Sequence, residues 1–388
     1  MYQALILRTP RLYLTYVERH AFGADEYYPV SQSSGNLTHA QSSASSTSIG
    51  YTIIDTLDMF LLLSLNQDGA SLGQSYRRLR KWLKEEHTFD VEGNFNTFEL
   101  TIRLLGGLLS AHWAEYEVGI TPGLGSYEQE EDERFRASPT RSTDGDSPIK
   151  EASSQKAYKS SSRSGGDDDR YDPSDMLYLH KAVDLADRLM GAFSTRSGLP
   201  WSNINLRTRV GSSSDQEHGL VATAEIGTLQ LEFRYLSYVL IQQLQQIPPA
   251  QLTSIDLPTF LKDGDGNPKT MEELRSYWNV VEHAMKVARE GTRGRLPSVF
   301  MNPEDGEFII SPVRLGSRGD SYFEYLLKQY LQTSRNELDL LRMWDDAIDQ
   351  IHENLLLRTP KRDLLFIAEL NPEQDEQGQM YVSFSSNG

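Results

Sequence analysis

FNTFELTIRLLGGLLSAHWA, residues 95–114, is the stretch whose reading decides the fold. At 3.6 residues per turn, Glu99, Arg103, Gly106 and Ser110 share one narrow stripe. Phe98, Ile102, Leu105 and Leu109 make a second stripe, and Leu100, Leu104 and Leu108 a third. A helix apolar almost all round must lie between layers. A charge on such a helix is costly unless it is paired or faces a polar cavity. The pattern therefore predicts a buried helix whose thin polar stripe lines a cavity. A plain i,i+4 ion pair between Glu99 and Arg103 is the alternative.

Two further segments repeat the motif. VATAEIGTLQLEFRYLSYVL, residues 221–240, places Glu225, Thr228, Glu232 and Tyr235 on one face of an otherwise apolar helix. Glu232 could equally end in water. RGDSYFEYLLKQYLQ, residues 318–332, starts with Asp320, where a polar side chain can cap free amides. Ser321 and Glu324 have the spacing of a capping box, which is a structural reading. Three such helices in one chain point to a shared acidic cavity.

The 388 residues suffice for one large domain or two ordinary ones. A net charge of −17, spread along the chain, makes nucleic acid a poor partner. With no cysteine there is neither a disulfide framework nor a thiolate metal site. No apolar run reaches membrane-spanning length, and the first residues lack a signal-peptide pattern.

Helix candidates fall at 3–20, 51–65, 70–86, 95–115, 174–193, 218–246, 270–290, 320–332 and 335–356, and strand alternation is scarce. This series fits stacked helical hairpins in one all-α domain spanning 1–388. Residues 123–172 are rich in Ser, Asp, Glu, Arg and Gly with few aliphatics, and read as a disordered insertion. A second polar stretch, Ser31–Ser48, holds one glycosylation sequon at Asn36-Leu37-Thr38. Asp263-Gly264-Asp265-Gly266-Asn267 opens like a calcium loop. Pro268 and Leu274 stand where that loop needs Gly and Glu, so a polar turn is the better reading. His112 reads as a packing residue.

Paired carboxyl groups across a polar cavity are the machinery of glycoside hydrolysis, one acting as acid and the other activating water or attacking. Arg103 and Arg318 beside the acids can orient them and bind hydroxyls. Tyr322, Phe323 and Tyr325 can stack on sugar rings or simply pack the core.

Six segments together resemble the class I α-1,2-mannosidases of the endoplasmic reticulum and Golgi, glycoside hydrolase family 47. They are AFGADEYYPVS (21–31), YTIIDTLDMFLLL (51–63), FELTIRLLGGLLSAH (98–112), AVDLADRLMGAFSTRSGLPWSNINL (182–206), AEIGTLQLEFRYLS (224–237) and LGSRGDSYFEYLLKQYLQT (315–333). The Arg-Gly-Asp-Ser-Tyr version of the last looks more like the processing enzymes than their degradation-enhancing relatives. The resemblance implies an (αα)7 barrel and inverting hydrolysis of α-1,2-linked mannose from high-mannose N-glycans. It also implies a Ca2+ cofactor and an endoplasmic reticulum or Golgi lumenal site of action. On the matching positions, Glu99 is the expected general acid and Asp320 a second catalytic carboxylate. Arg103, Glu225, Arg318, Asp25 and Glu26 are the expected substrate residues. Asp55 and Asp58 belong to a motif read as structural first.

The sequence also departs from the pattern. After the region near Glu369 the resemblance calls for a His-Leu-x-Cys-Phe segment, an Arg-Pro-Glu helix bearing the general base, and a hairpin with a calcium-binding threonine. None is in these residues, and serines replace a Trp- and Gly-rich stretch before the Ile-Asp-x-Leu-Asp motif. The expectation is a partial catalytic domain, its last hairpins missing, with no metal ligands of its own and little or no activity. The alternative is a non-catalytic glycan-binding or interaction protein using Arg103, Glu225 and Arg318 as a lectin pocket.

Overall fold

The computed structural model describes residues 15–37, 48–64, 69–120, 175–214, 217–252, 255–374 and 380–384. The segment 123–172 and most of the 3–20 helix lie outside these residues, as does Thr38 of the sequon. Helices dominate. After the short hairpin β1 (Glu26–Tyr28) and β2 (Ser33–Gly35) come α1 (Tyr51–Asp55), α2 (Leu57–Ser64) and α3 (Gly69–Glu85). The stretch expected as one helix over 51–65 is broken at Thr56. Its hydroxyl donates to the carbonyls of Thr52 at 2.8 Å and Ile53 at 3.1 Å and so competes with the helical ladder.

The 95–114 stretch folds largely as read. Strand β3 (Asn94–Asn96) runs into α4, a continuous helix over 97–117. Its winding is not uniform: Leu100–Leu105 and Trp113–Glu117 are π-helical, with α-helical Gly106–His112 between them. Leu104, Leu105, Leu108 and Ala111 are fully buried, as a helix between two layers requires. Gly107 permits the crossing with α1, since a Cβ there would sit 2.4 Å from the Ile54 carbonyl oxygen.

Next come α5 (Leu177–Leu189), β4 (Asn203–Asn205) and β5 (Val210–Ser212), the last two completing an antiparallel sheet in the order β3-β4-β5. The expected helix over 218–246 is three elements: β6 (Val221–Ala222), α6 (Thr223–Ile226) and α7 (Gln230–Gln245). The break falls at Gly227, where a Cβ would meet the Tyr322 ring at 2.7 Å. Gln230 repairs the gap: its side chain donates to Ile226 O at 2.9 Å and accepts from Leu229 N at 3.0 Å.

The remainder is α8 (Met271–Thr292), β7 (Phe300–Met301, paired with β6), α9 (Asp320–Gln332) and α10 (Leu338–Asn354). Two antiparallel hairpins follow, β8 (Leu356–Arg358) with β9 (Leu365–Ile367) and β10 (Leu370–Gln374) with β11 (Met380–Phe384). The sequence reading did not assign these strands. A capping box does form at the start of α8, where Thr270 and Glu273 bond reciprocally. The box expected at Ser321 and Glu324 does not. Gly319 is the N-cap of α9 with no side-chain cap, and Glu324 pairs with Lys328 instead.

Consecutive helices pack as hairpins: α2 with α3, α4 with α5, α7 with α8, and α9 with α10. The first member of each hairpin also touches the first member of the next, so α2, α4, α7 and α9 form an inner layer. The outer helices are amphipathic. On α8, Leu274, Tyr277, Val281, Ala284, Met285 and Ala288 are buried at helical spacing. One apolar cluster runs through all four hairpins. No helix among the described residues is long and apolar enough to cross a membrane.

Candidate active site

The polar stripe of α4 meets α1 and α6 at the top of the inner layer. Asn96 is the N-cap of α4, its Oδ1 accepting from Glu99 N at 2.8 Å. Glu99 is half-exposed, and two donors converge on its Oε2: Arg103 Nε at 2.6 Å and the Tyr51 hydroxyl at 3.0 Å. Arg103 lies 3.6 Å from Asp55 as well. Burial pushes the Asp55 carboxyl up, with Arg103 opposing. Burial and the neighbouring Glu99 charge push the Tyr51 phenol up, so it remains a donor. Farther along α4, the Ser110 hydroxyl donates to Asp58 at 3.1 Å.

Across from Glu99, α6 presents Glu225. Its Oε1 accepts from Asn96 Nδ2 at 3.1 Å, and its Oε2 is buried with no hydrogen-bond partner among the described residues. Burial pushes the Glu225 carboxyl up to about 7; Asn96 and Arg318 pull it down, while Glu217 and Glu99 push it further up. Arg318 does not bond Glu225. Its Nε donates to Glu217 Oε1 at 2.9 Å, and Glu217 is nearly buried. Arg318 has φ +73°, a left-handed conformation unusual for a residue with a side chain, and its carbonyl accepts from Ala224 N at 2.9 Å. This backbone bond ties the turn before α9 to α6.

The structure thus gathers Glu99, Arg103, Glu225 and Arg318 along one edge. It does not gather the other expected residues. Asp320 is exposed and accepts from Ser321 N at 2.9 Å; among the described residues no hydrogen bond or ion pair joins it to Glu99, Glu225 or Arg318. Asp25, expected at the substrate, is fully buried. Its Oδ1 accepts from Ser48 Oγ at 2.7 Å, Ile49 N at 2.9 Å and Tyr51 N at 3.1 Å, and its Oδ2 from Leu37 N at 3.0 Å. That carboxylate organises the entry to α1, because a buried charge needs this many donors. Glu26 accepts the Tyr28 hydroxyl at 2.6 Å on the β1–β2 hairpin and has no bond to the stripe among the described residues.

The sequence reading missed Asn96 and Glu217 and gave Tyr51 no role. The Asn-x-x-Glu spacing of 96–99 was a visible cap signal. Glu217 sits in a loop, where no periodicity marks it.

Farther along the same stripe a second acidic position is different. A cavity of about 300 Å3 is lined by Gly106, Ser110, Trp113, Glu232, Tyr235 and Gln332, among others. Burial pushes the Glu232 carboxyl up to about 7, and among the described residues its buried Oε2 has no hydrogen-bond partner. His112, expected as a packing residue, is buried and stacked on Tyr116.

Among the described residues no group of three or more His, Cys, Asp or Glu side chains is placed to hold a metal ion.

Comparisons with known proteins agree with one another. The model of the family described as glycosyl hydrolase family 47 matches residues 12–243 and 270–385. A mannosyl-oligosaccharide 1,2-alpha-mannosidase of Candida albicans is 28% identical over 355 residues, covering 91% of this chain and 44% of that protein. An endoplasmic reticulum mannosyl-oligosaccharide 1,2-alpha-mannosidase of Schizosaccharomyces pombe is 30% identical over 373 residues, covering 95% and 51%. The solved structure of an alpha-1,2-mannosidase from Trichoderma reesei superposes with a TM-score of 0.60 at 19% identity, covering 95% of this chain and 57% of that one. The chain spans about half the length of the curated relatives it matches. The likeness gives the hairpins described above their architecture, that of an (αα)7 barrel.

Proposed function

The chain belongs to glycosyl hydrolase family 47, and from that premise we propose that its acidic stripe receives the terminal α-1,2-linked mannose of high-mannose N-glycans. The carrying observation is the setting of Glu99. Both its donors bind Oε2, so Oε1 is left to protonate a glycosidic oxygen. Arg103 and Arg318 stand on either side as donors to sugar hydroxyls, and Glu225 as a hydrogen-bonding carboxyl. The names of the relatives support processing of mannosyl-oligosaccharides in the endoplasmic reticulum.

Inversion requires a second carboxyl on the far face of the sugar, roughly 6.5–9.5 Å from the acid, to activate water. Glu225, across from Glu99, turns Oε1 to Asn96 and has Oε2 buried, so neither oxygen is open to that water, and Asp320 is exposed. We therefore expect these 388 residues to bind mannosides better than they hydrolyse them. The same observation favours a second reading, a glycan-binding protein on this scaffold.

Calorimetry and mannose release with α-1,2-mannobiose separate the readings. Release that Glu99→Gln abolishes establishes the hydrolase. Binding without release, lost in Arg103→Ala, establishes the lectin. No binding at millimolar disaccharide overturns both.

A further inference from the structure

We propose that Asn96 is a positioning residue of the groove, whose single amide locks the first turn of α4, and Glu99 with it, to Glu225 across the gap. The inference deepens the glycan-site reading and rests on it only for its consequence in binding.

The amide can be oriented in one way. The Glu99 N–H only donates, so the oxygen of Asn96 must face it, at 2.8 Å. The NH2 then faces Glu225 Oε1, at 3.1 Å. Because that NH2 can only donate, Oε1 must be an accepting oxygen. A proton on Glu225 therefore belongs on Oε2, the oxygen that is buried without a partner.

The groups facing Glu225 are Glu217 from the preceding loop, Arg318 from the turn before α9, and Glu99 and Asn96 from the start of α4. Arg318 bonds Glu217 and acts on Glu225 through its charge alone. Asn96 is left as the one direct hydrogen-bond donor to this carboxyl among the described residues. It lies 129 residues away in sequence and in the same helical turn as Glu99. A sugar that draws Glu99 out of place pulls the cap, and through it the donor that holds Glu225.

A helix cap alone would make no such link, and the two roles can be separated. Ser at position 96 still caps the helix but cannot reach Glu225. Asp still caps but sets a like charge against it. The full chain would be prepared with glutamate carboxyl carbons labelled, Glu225 assigned through Glu225→Gln, and its titration followed by NMR. We expect the midpoint to rise by about half a pH unit or more in Asn96→Ser and further in Asn96→Asp. Circular dichroism would verify the fold of each variant. An unmoved midpoint in two folded variants overturns the proposal and leaves Asn96 a cap. The titration needs no glycan. A shift in a chain that binds no mannobiose keeps the link and refutes the glycan reading; binding with no shift refutes the link alone.

Discussion

Helix α4 carries Glu99 near its start and Glu115 near its end, and the same ingredients surround both. Glu115 accepts from Arg80 Nε at 3.2 Å and the Tyr76 hydroxyl at 3.1 Å, and Arg80 also pairs with Asp175 at 2.6 Å. Glu99 accepts from Arg103 and Tyr51, and Arg103 also approaches Asp55. The difference is water. The side chains of Arg80 and Glu115 are 7% and 3% exposed, those of Arg103 and Glu99 42% and 38%. A buried set must satisfy itself completely, because each unmet charge costs its full desolvation. A half-open set can exchange one partner for a ligand at little cost. Identical chemistry is thus a structural clamp at one end of a helix and a candidate site at the other.

The largest expected effect breaks the buried end. Arg80→Ala removes the buried cation that faces Glu115 and should cost about 3–5 kcal/mol in urea unfolding. A loss below about 1 kcal/mol would remove the distinction between the two ends. The next tests the inner carboxyls. Glu225 and Glu232 have folded values near 7 against an ordinary 4.5. A raised value means that the folded state holds the proton more tightly than the unfolded chain. Their contribution is complete below about 4.5, falls as pH rises, and is gone above about 7. Each should account for on the order of 1–3 kcal/mol across that window. Unfolding midpoints measured from pH 4 to 8 should decline, and Glu232→Gln should flatten the slope; a slope unchanged by that variant would show that Glu232 ionises freely.

At the open end the stability effects shrink. Arg103→Ala should change stability by less than about 1 kcal/mol, since the pair is solvated. Mannobiose binding should nonetheless weaken tenfold or more, and a large stability loss would mean that this end too is a clamp. Smallest is Tyr51→Phe, which removes one partly solvated donor to Glu99 and should cost about 0.5–1 kcal/mol by thermal denaturation.

Much of this contrast was legible in the primary structure at one end only. The stripe of Glu99, Arg103, Gly106 and Ser110 shows itself because helical period and polarity coincide on a long apolar background. Glu115 lies just past the quoted stretch, and nothing local announces its partners on α3. Non-local contacts were invisible for the same reason: Asn96 and Glu225 meet through the fold rather than through spacing. Asp25 misled because an acidic residue in a recognisable motif looks the same whether it faces a cleft or fastens a loop. The split of 218–246 depended on Tyr322 packing against Gly227, a contact between segments far apart in the chain. The capping-box spacing at Ser321 and Glu324 failed because the turn before α9 is held from its backbone side, by Arg318 and Ala224.

The π-helical passage at Leu100–Leu105 carries one further consequence. A wider turn takes up an extra residue without ending the helix. It works as a phase adjuster on a shaft: Glu99 upstream and Gly106–His112 downstream are indexed separately. Regular α winding over the same residues would swing the two halves relative to each other by about 100°. The core-facing leucines would hold their seats, and the acid would turn away from its groove. Where this helix aims its glutamate is therefore set by an irregularity in its thread.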